Sequence, residues 1–185
     1  MGNYAGLLKF LSGNKKRIGS LLILTHDYPD SDAIASAFAL YYLANRFGIK
    51  SKIVYGGIIN NIENRTMISL LRIPISKLKN SDFKEYKSYA LVDTQPLFNN
   101  NSFPDNKHAT IVIDQHLYSK RPEADFSIID LECGATAVIL AKAIFSSGIG
   151  MPKNLATALT YGIIIDTLNL YRVKRQGIFR IYMEV

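Results

Sequence analysis

Short apolar runs recur along the 185-residue chain, and the central ones end in an acid or a histidine. Leu21-Leu22-Ile23-Leu24 leads into Thr25-His26-Asp27-Tyr28-Pro29-Asp30-Ser31-Asp32-Ala33, Ala90-Leu91-Val92 into Asp93, and Ile111-Val112-Ile113 into Asp114-Gln115-His116. Longer segments with helical spacing lie between them. That alternation predicts an α/β fold with a mostly parallel β-sheet flanked by helices. In such a sheet the C-terminal strand ends share one edge, and ligand-binding groups gather there where the strand order switches.

The pattern predicts strands at Leu21 to Thr25, Lys52 to Tyr55, Tyr89 to Val92, Thr110 to Ile113 and Phe126 to Ile129. It predicts helices from Ala33 to Phe47, closed by Gly48, from Ile62 to Leu71, stopped before Pro74, and from Ala135 to Ser146. Pro152 suits the first turn of a last helix that continues through Leu155 to Ile165. Asn99 to Asn106 is the clearest loop. The final segment, Ile178 to Val185, alternates in polarity and stops without turn residues. An edge strand, a disordered tail and the start of a further element all fit it.

Composition narrows the class. Hydrophobic residues make up 48% of the chain and charged ones 20%, which suits a globular domain with a sizeable core. No apolar run is long enough to span a membrane. The first residues, Met1-Gly2-Asn3-Tyr4, do not read as a secretory signal, and a single Cys133 excludes an internal disulfide. These features set the expectation of a cytoplasmic protein with no membrane partner. The net charge of +7 is concentrated partly in Lys15, Lys16 and Arg17 and partly in Arg172, Lys174, Arg175 and Arg180. A solvated surface and attraction to a nucleotide or oligonucleotide fit it equally.

The chemistry lies at the ends of the apolar runs. His26, Asp30 and Asp32 fall on one strand-to-helix turn, and Asp166 follows Ile163-Ile164-Ile165 at a helix end. Taken singly, each acid has an ordinary explanation. Asp93 or Asp166 alone is more often a turn former, and Asp32 fits as the cap of the helix beginning at Ala33. His108 has no acid beside it in sequence and reads as structural or exposed. Recurrence after successive strands is what independent caps do not require. Carboxylates gathered at one edge repel unless a cation holds them. Mixed carboxylate and imidazole donors suit Mn²⁺, with Mg²⁺ or Zn²⁺ as alternatives. Two such ions roughly 4 Å apart activate a water and neutralise a phosphoryl oxygen.

The segments Thr25-His26 to Asp32-Ala33, Val92-Asp93-Thr94, Asp114-Gln115-His116 and Gly162 to Asp166-Thr167 resemble, in order, the four motifs of the DHH phosphoesterase superfamily. That superfamily includes RecJ-like exonucleases, oligoribonucleases, cyclic-di-AMP phosphodiesterases and manganese-dependent pyrophosphatases. Tyr55-Gly56-Gly57-Ile58, Glu63-Asn64-Arg65 and Gly134-Ala135-Thr136 resemble its oligoribonuclease-related branch, also called exopolyphosphatase-related. The resemblance implies a DHH-type catalytic domain over 1–172 and a basic tail over 173–185. It implies that His26, Asp30 and Asp93 hold one Mn²⁺, and that Asp32, Asp93 and Asp166 hold a second. His116 would contact substrate phosphate, oriented by Asp114, and Lys120 and Arg121 are further phosphate candidates. The implied reaction is hydrolysis of a nucleotide phosphoester or short single-stranded oligonucleotide by a metal-activated water. Pyrophosphate or polyphosphate hydrolysis uses the same donors.

Two departures matter. The family triplet is Asp-His-His, and Gln115 stands in its middle position. There Gln115 would be a weaker, neutral second-metal ligand, which favours Mg²⁺, loose binding, or a non-catalytic nucleotide-binding domain. Relatives also carry a smaller C-terminal domain with a Gly-Gly-His-type motif, and no such motif occurs here. The expectation is therefore a catalytic domain whose substrate clamp is absent, or is supplied by another chain or a homodimer partner.

Overall fold

The computed structural model describes residues 4–117, 122–171, 181–183 and 185. Six strands form one all-parallel sheet in the order β3-β2-β1-β4-β5-β6. In chain order the elements are α1 (Tyr4–Ile18), β1 (Ser20–Leu24), α2 (Ser31–Arg46), β2 (Lys50–Tyr55), α3 (Ile62–Leu71) and β3 (Ile75–Lys77). They continue with α4 (Asp82–Glu85), β4 (Ser88–Val92), β5 (Ala109–Asp114), β6 (Ala124–Ile129), α5 (Thr136–Ser147) and α6 (Lys153–Asp166). The α/β class and the parallel sheet agree with the sequence pattern. No helix among the described residues is long and apolar enough to cross a membrane.

Strand alternation divides the core into two layers. Leu21 and Ile23 of β1 face a large core built with α1, α2, α5 and α6, while Leu22 and Leu24 face a smaller one with Tyr86, Tyr89, Leu91, Phe103 and Val112. Both faces being buried is why these strands read as unbroken apolar runs. Gly162 sits where α6 meets α2. A Cβ there would lie 3.0 Å from the Ser31 carbonyl oxygen and 3.2 Å from Asp32 Cα. That close approach seats the C-terminal part of α6 against the start of α2, where several candidate ligands lie.

Several boundaries move for identifiable reasons. Helix α2 starts at Ser31, and its N-cap is Asp30, whose Oδ1 accepts from the Ala33 amide at 3.0 Å. Asp32 therefore does not cap its own helix. Pro152 stands at the N-cap of α6, one position before the expected first turn. The structure adds α1, α4 and β3, which the pattern did not predict. His108 does have an acid beside it in space, since its Nε2 lies 2.8 Å from Asp125 Oδ1, and Arg17 pairs with the same carboxylate at 2.7 Å. The trio ties α1 to the start of β5 and to β6. Of the C-terminal segment, 181–183 is helical and not a strand. The basic residues Arg172, Lys174, Arg175 and Arg180, like Lys120 and Arg121, lie outside the described residues.

Candidate metal centre

The strand order reverses between β1 and β4. From β1 the chain builds outward to β2 and β3, then returns to lay β4 on the other side of β1. The switch point is therefore the gap between the C-terminal ends of these two strands. His26 lies two residues beyond β1, and Asp93 is the first residue beyond β4.

Local conformation aims these groups. Asp93 has φ +59°, a left-handed conformation that aspartate tolerates better than most side chains, and its amide donates to the Ile113 carbonyl at 2.9 Å. The turn after β1 runs against β2's exit, where only glycines fit. A Cβ on Gly56 would stand 2.0 Å from Asp27 Oδ1, and one on Gly57, at φ +47°, 2.3 Å from the Asp27 carbonyl oxygen. Asp27 is held further by Ser102 Oγ, which donates to Oδ1 at 2.7 Å, and by its own amide, which donates to Asn100 O at 2.7 Å.

Two groups of potential ligands converge on Asp93. His26, Asp30 and Asp93 each offer an atom within 4.8 Å of the others, as do Asp93, Asp114 and His116. They differ chemically. His26 Nε2 lies 3.7 Å from Asp93 Oδ2, too far for a hydrogen bond. Burial, acting against Asp30, lowers the His26 pKa and favours the neutral imidazole that a cation requires. In the second group a proton already does the joining. His116 Nδ1 lies 2.8 Å from Asp114 Oδ1, and this hydrogen bond raises the His116 pKa. Nδ1 bearing a proton donates to Asp114 and is not a ligand in that state. The first group is thus the better cation site.

Asp32 and Asp166 belong to neither group. Asp32 is fully buried and caps a helix far along the chain: Oδ2 accepts from the Thr136 amide and Oδ1 from the Ala137 amide, each at 2.7 Å. Helix α5 has no capping side chain of its own at Ala135, so Asp32 satisfies its exposed amides and faces its positive pole. Asp166 Oδ2 accepts from Gln115 Nε2 at 2.5 Å. The Gln115 side chain therefore presents its amide nitrogen, not its oxygen, to that carboxylate.

Three residues that the sequence did not single out for a role hold this arrangement. Thr136 Oγ1 donates to Asp93 Oδ1 at 2.7 Å while its amide holds Asp32, so one residue fixes both carboxylates. Gln95 Nε2 donates to Asp114 Oδ2 at 2.7 Å and to the His116 carbonyl at 3.0 Å, joining the loops after β4 and β5. Ser36 Oγ, one turn along α2, lies 3.3 Å from Asp32 Oδ1. An apolar helix start with no cap of its own was a legible sign for Thr136. Nothing in the sequence marks Gln95.

Electrostatically the site is short of positive charge. No Lys or Arg pairs with Asp30, Asp32, Asp93 or Asp114 among the described residues. Burial pushes Asp32 well above the usual carboxylate range, with Asp93, Asp166 and Asp30 adding to it. Burial does the same to Asp93, followed by the charges of Asp30 and Asp114, and the Thr136 hydroxyl works against it. A divalent cation would supply the missing charge, and the donor set of one imidazole with carboxylates fits one.

The family model for the DHH family, N-terminal domain, matches residues 20–163. MJ1633 of Methanocaldococcus jannaschii, described as uncharacterized, is 40% identical over 161 residues, covering 86% of this chain and 33% of that protein. A probable manganese-dependent inorganic pyrophosphatase of Bacillus pumilus is 29% identical over 152 residues, covering 82% of this chain and 49% of its own length. The crystal structure of an exopolyphosphatase-related protein from Bacteroides fragilis superposes with a TM-score of 0.73 at 18% identity, covering 98% of this chain and 55% of that one. The chain thus spans between a third and a half of the length of these two curated relatives. The matched family region contains every residue of the two ligand groups at the switch point, and the chain belongs to the DHH family.

Proposed function

We propose that this chain is the metal-binding part of a divalent-cation-dependent phosphohydrolase that cleaves phosphoester bonds of nucleotides or short single-stranded oligonucleotides. The observation that carries this reading is the convergence of His26, Asp30 and Asp93 at the switch point, with no Lys or Arg paired to Asp30 or Asp93 among the described residues. These three would hold the first cation. Asp32, Asp93, Asp166 and Gln115 would hold the second, after Asp32 and Gln115 release their present hydrogen bonds. Mn²⁺ suits the donors best, with Mg²⁺ as the alternative. Bound divalent cations supply a nucleophile from water near neutral pH and offset phosphoryl charge. In this reading Asp93 stands between the two sites, fixed by Thr136. Asp114 accepts from Nδ1 of His116 and raises its pKa, and the resulting imidazolium would donate from Nε2 to a phosphate oxygen. Lys120 and Arg121 are proposed as further phosphate contacts.

The test is release of mononucleotide from short oligoribonucleotides with added Mn²⁺, compared with an Asp93→Ala variant. Unchanged turnover in that variant refutes the mechanism, and binding without turnover at every Mn²⁺ concentration refutes the enzyme assignment. Pyrophosphate is a second reading, favoured by the 29% identity to a probable manganese-dependent pyrophosphatase. Parallel assays on pyrophosphate and a dinucleotide separate the two.

A further inference from the structure

The edge of the sheet opposite the metal centre carries the reverse charge. Six of the fifteen acidic residues, Asp27, Asp30, Asp32, Asp93, Asp114 and Asp166, lie on the segments that bring candidate ligands together. At the N-terminal ends of the strands lies a row of cations. Lys50 opens β2 and pairs in register with Ser20 of β1, and the Lys87 amide donates to Ser20 Oγ at 3.2 Å. Lys107 enters β5. At strand spacing, the row from β2 through β1 and β4 to β5 extends about 14 Å.

Helix ends add to the row. Lys15, Lys16 and Arg17 form the last turn of α1, which runs straight into β1, and Arg46 closes α2 before β2. The side chains meet at the strand starts. A Cβ on Gly48 would lie 2.6 Å from Lys15 Nζ, and one on Gly19 would lie 3.3 Å from Lys87 Cδ. Favourable contact with helix C-termini accounts for the cations on α1 and α2. It does not account for Lys50, Lys87 and Lys107, which stand on strands and loops. Lys15, Lys16, Arg46, Lys50 and Lys87 are exposed, and none of them pairs with an acid among the described residues. Lys50 and Lys107 stand over the rings of Tyr86 and Tyr89. The exposed acids on this edge, Glu85, Asp105, Glu123 and Asp125, flank its β4, β5 and β6 side, and Asp125 takes up the charge of Arg17. They leave the β1 and β2 side positive.

We infer that this edge is a second polyanion-binding surface that engages the phosphate backbone of single-stranded nucleic acid, separately from the metal centre. The segments that make the row contribute no exposed large hydrophobic side chain. A membrane surface would gain nothing by insertion there, and a folded acidic protein would find no apolar centre for an interface. A line of unpaired cations matches a repeating phosphate chain, held by charge and without base readout.

The experiment uses the full chain in EDTA, so that it reports on this edge whether or not the hydrolase assignment holds. Binding of a fluorescein-labelled oligouridylate of about 20 nucleotides is followed by anisotropy between about 50 and 200 mM salt. Four phosphate contacts give a slope of log K against log salt near −3, which is roughly a 50-fold loss over that range. Replacing Lys15, Lys16, Lys50 and Lys87 together by Gln should weaken binding at low salt at least ~10-fold and flatten the slope. If that variant melts abnormally, the pair Lys16→Gln/Lys50→Gln should remove about half of the slope. Absence of binding by the native chain at low salt overturns the inference. So does an unchanged slope in the lysine variants, which moves the binding to other cations. Equal, lysine-dependent binding to phosphatidylserine vesicles also overturns it, because the surface would then be membrane-directed.

Discussion

Replacing Thr136 by Val tests whether the acidic cluster is held by a single hydroxyl. The substitution keeps the shape of the side chain and leaves the main-chain amide that donates to Asp32 at 2.7 Å. It removes only the donation from Oγ1 to Asp93 Oδ1, also 2.7 Å, between two buried residues. A hydrogen bond to a charged group contributes about 1.5–3 kcal/mol, and a buried carboxylate oxygen left without it keeps its desolvation cost. For a chain of this length a loss of about 2 kcal/mol lowers Tm by roughly 4–8 °C. Asp93 is also the residue that both ligand groups share. Loss of a partner that orients a metal ligand typically weakens metal binding ~10–100-fold, which is about 1.4–2.7 kcal/mol. The expected result is a lower Tm at pH 8 in EDTA and weaker Mn²⁺ binding by titration calorimetry. Thr136→Ser, which keeps the hydroxyl and loses a methyl, should bind Mn²⁺ as the native chain does. If Val and Ser behave alike, packing and not the hydroxyl holds Asp93, and the positioning role is refuted.

Three other outcomes follow from the same geometry. Folded Asp32 and Asp93 have pKa values raised above those of the unfolded chain, as does His116. The native state therefore holds more protons, and metal-free stability should fall as pH rises above the carboxylate range through the folded values. His26 is shifted the other way and opposes this, but one group stands against three. Thermal melts in EDTA should show a higher Tm near pH 5.5 than near pH 8, and Mn²⁺ should remove the difference; a rising profile would contradict the burial of these acids. Gly162→Ala should lower stability by about 1–3 kcal/mol although Ala is the better helix former, because the added methyl meets Ser31 O and Ala35 Cβ at 3.0 and 3.1 Å. A Tm unchanged or raised would show that α6 has room to move. Gln115→His should tighten Mn²⁺ binding about 10-fold, since an imidazole nitrogen replaces an amide that now donates to Asp166. Calorimetry showing no gain would place position 115 away from the cation.

The sheet was legible because β1, β4 and β5 are buried on both faces, so that each is a continuous apolar run bounded by polar turns. Strand β3 was not. It has three residues, pairs with β2 alone, and begins just after Pro74, so its partner and not its own pattern defines it. Helix α1 carries a signal in Leu7, Leu11 and Ile18, all buried, but its last turn, Lys15 to Arg17, equally fits a solvated basic surface. At the site, the candidate ligands were legible because acids recur after successive strands. The hydrogen-bond partners were not, because they connect residues far apart in sequence: Asp32 with Thr136 and Ala137, Gln115 with Asp166, Gln95 with Asp114. Polar residues in loops are too common for Gln95 to stand out without its partner in view.

The two proposed cation sites are not equivalent, and the reason lies in these hydrogen bonds. His26 and Asp93 face each other at 3.7 Å with no hydrogen bond between them, so a cation at the first site would displace little. The second site draws on groups that are already satisfied. Asp32 serves the start of α5 with both oxygens, and Asp166 is held by Gln115. Each hydrogen bond given up there leaves a buried polar group unsatisfied and costs about 1–3 kcal/mol before any ligand bond forms. A second cation would therefore bind against the hydrogen bonds that hold these segments together, whereas a first would not. Asp93 links the two events. Burial is the main cause that raises Asp32 and the charge of Asp93 adds to it, so a first cation on Asp93 would remove that added repulsion and make Asp32 easier to ionise. Filling should be sequential, with the first cation preparing the second site.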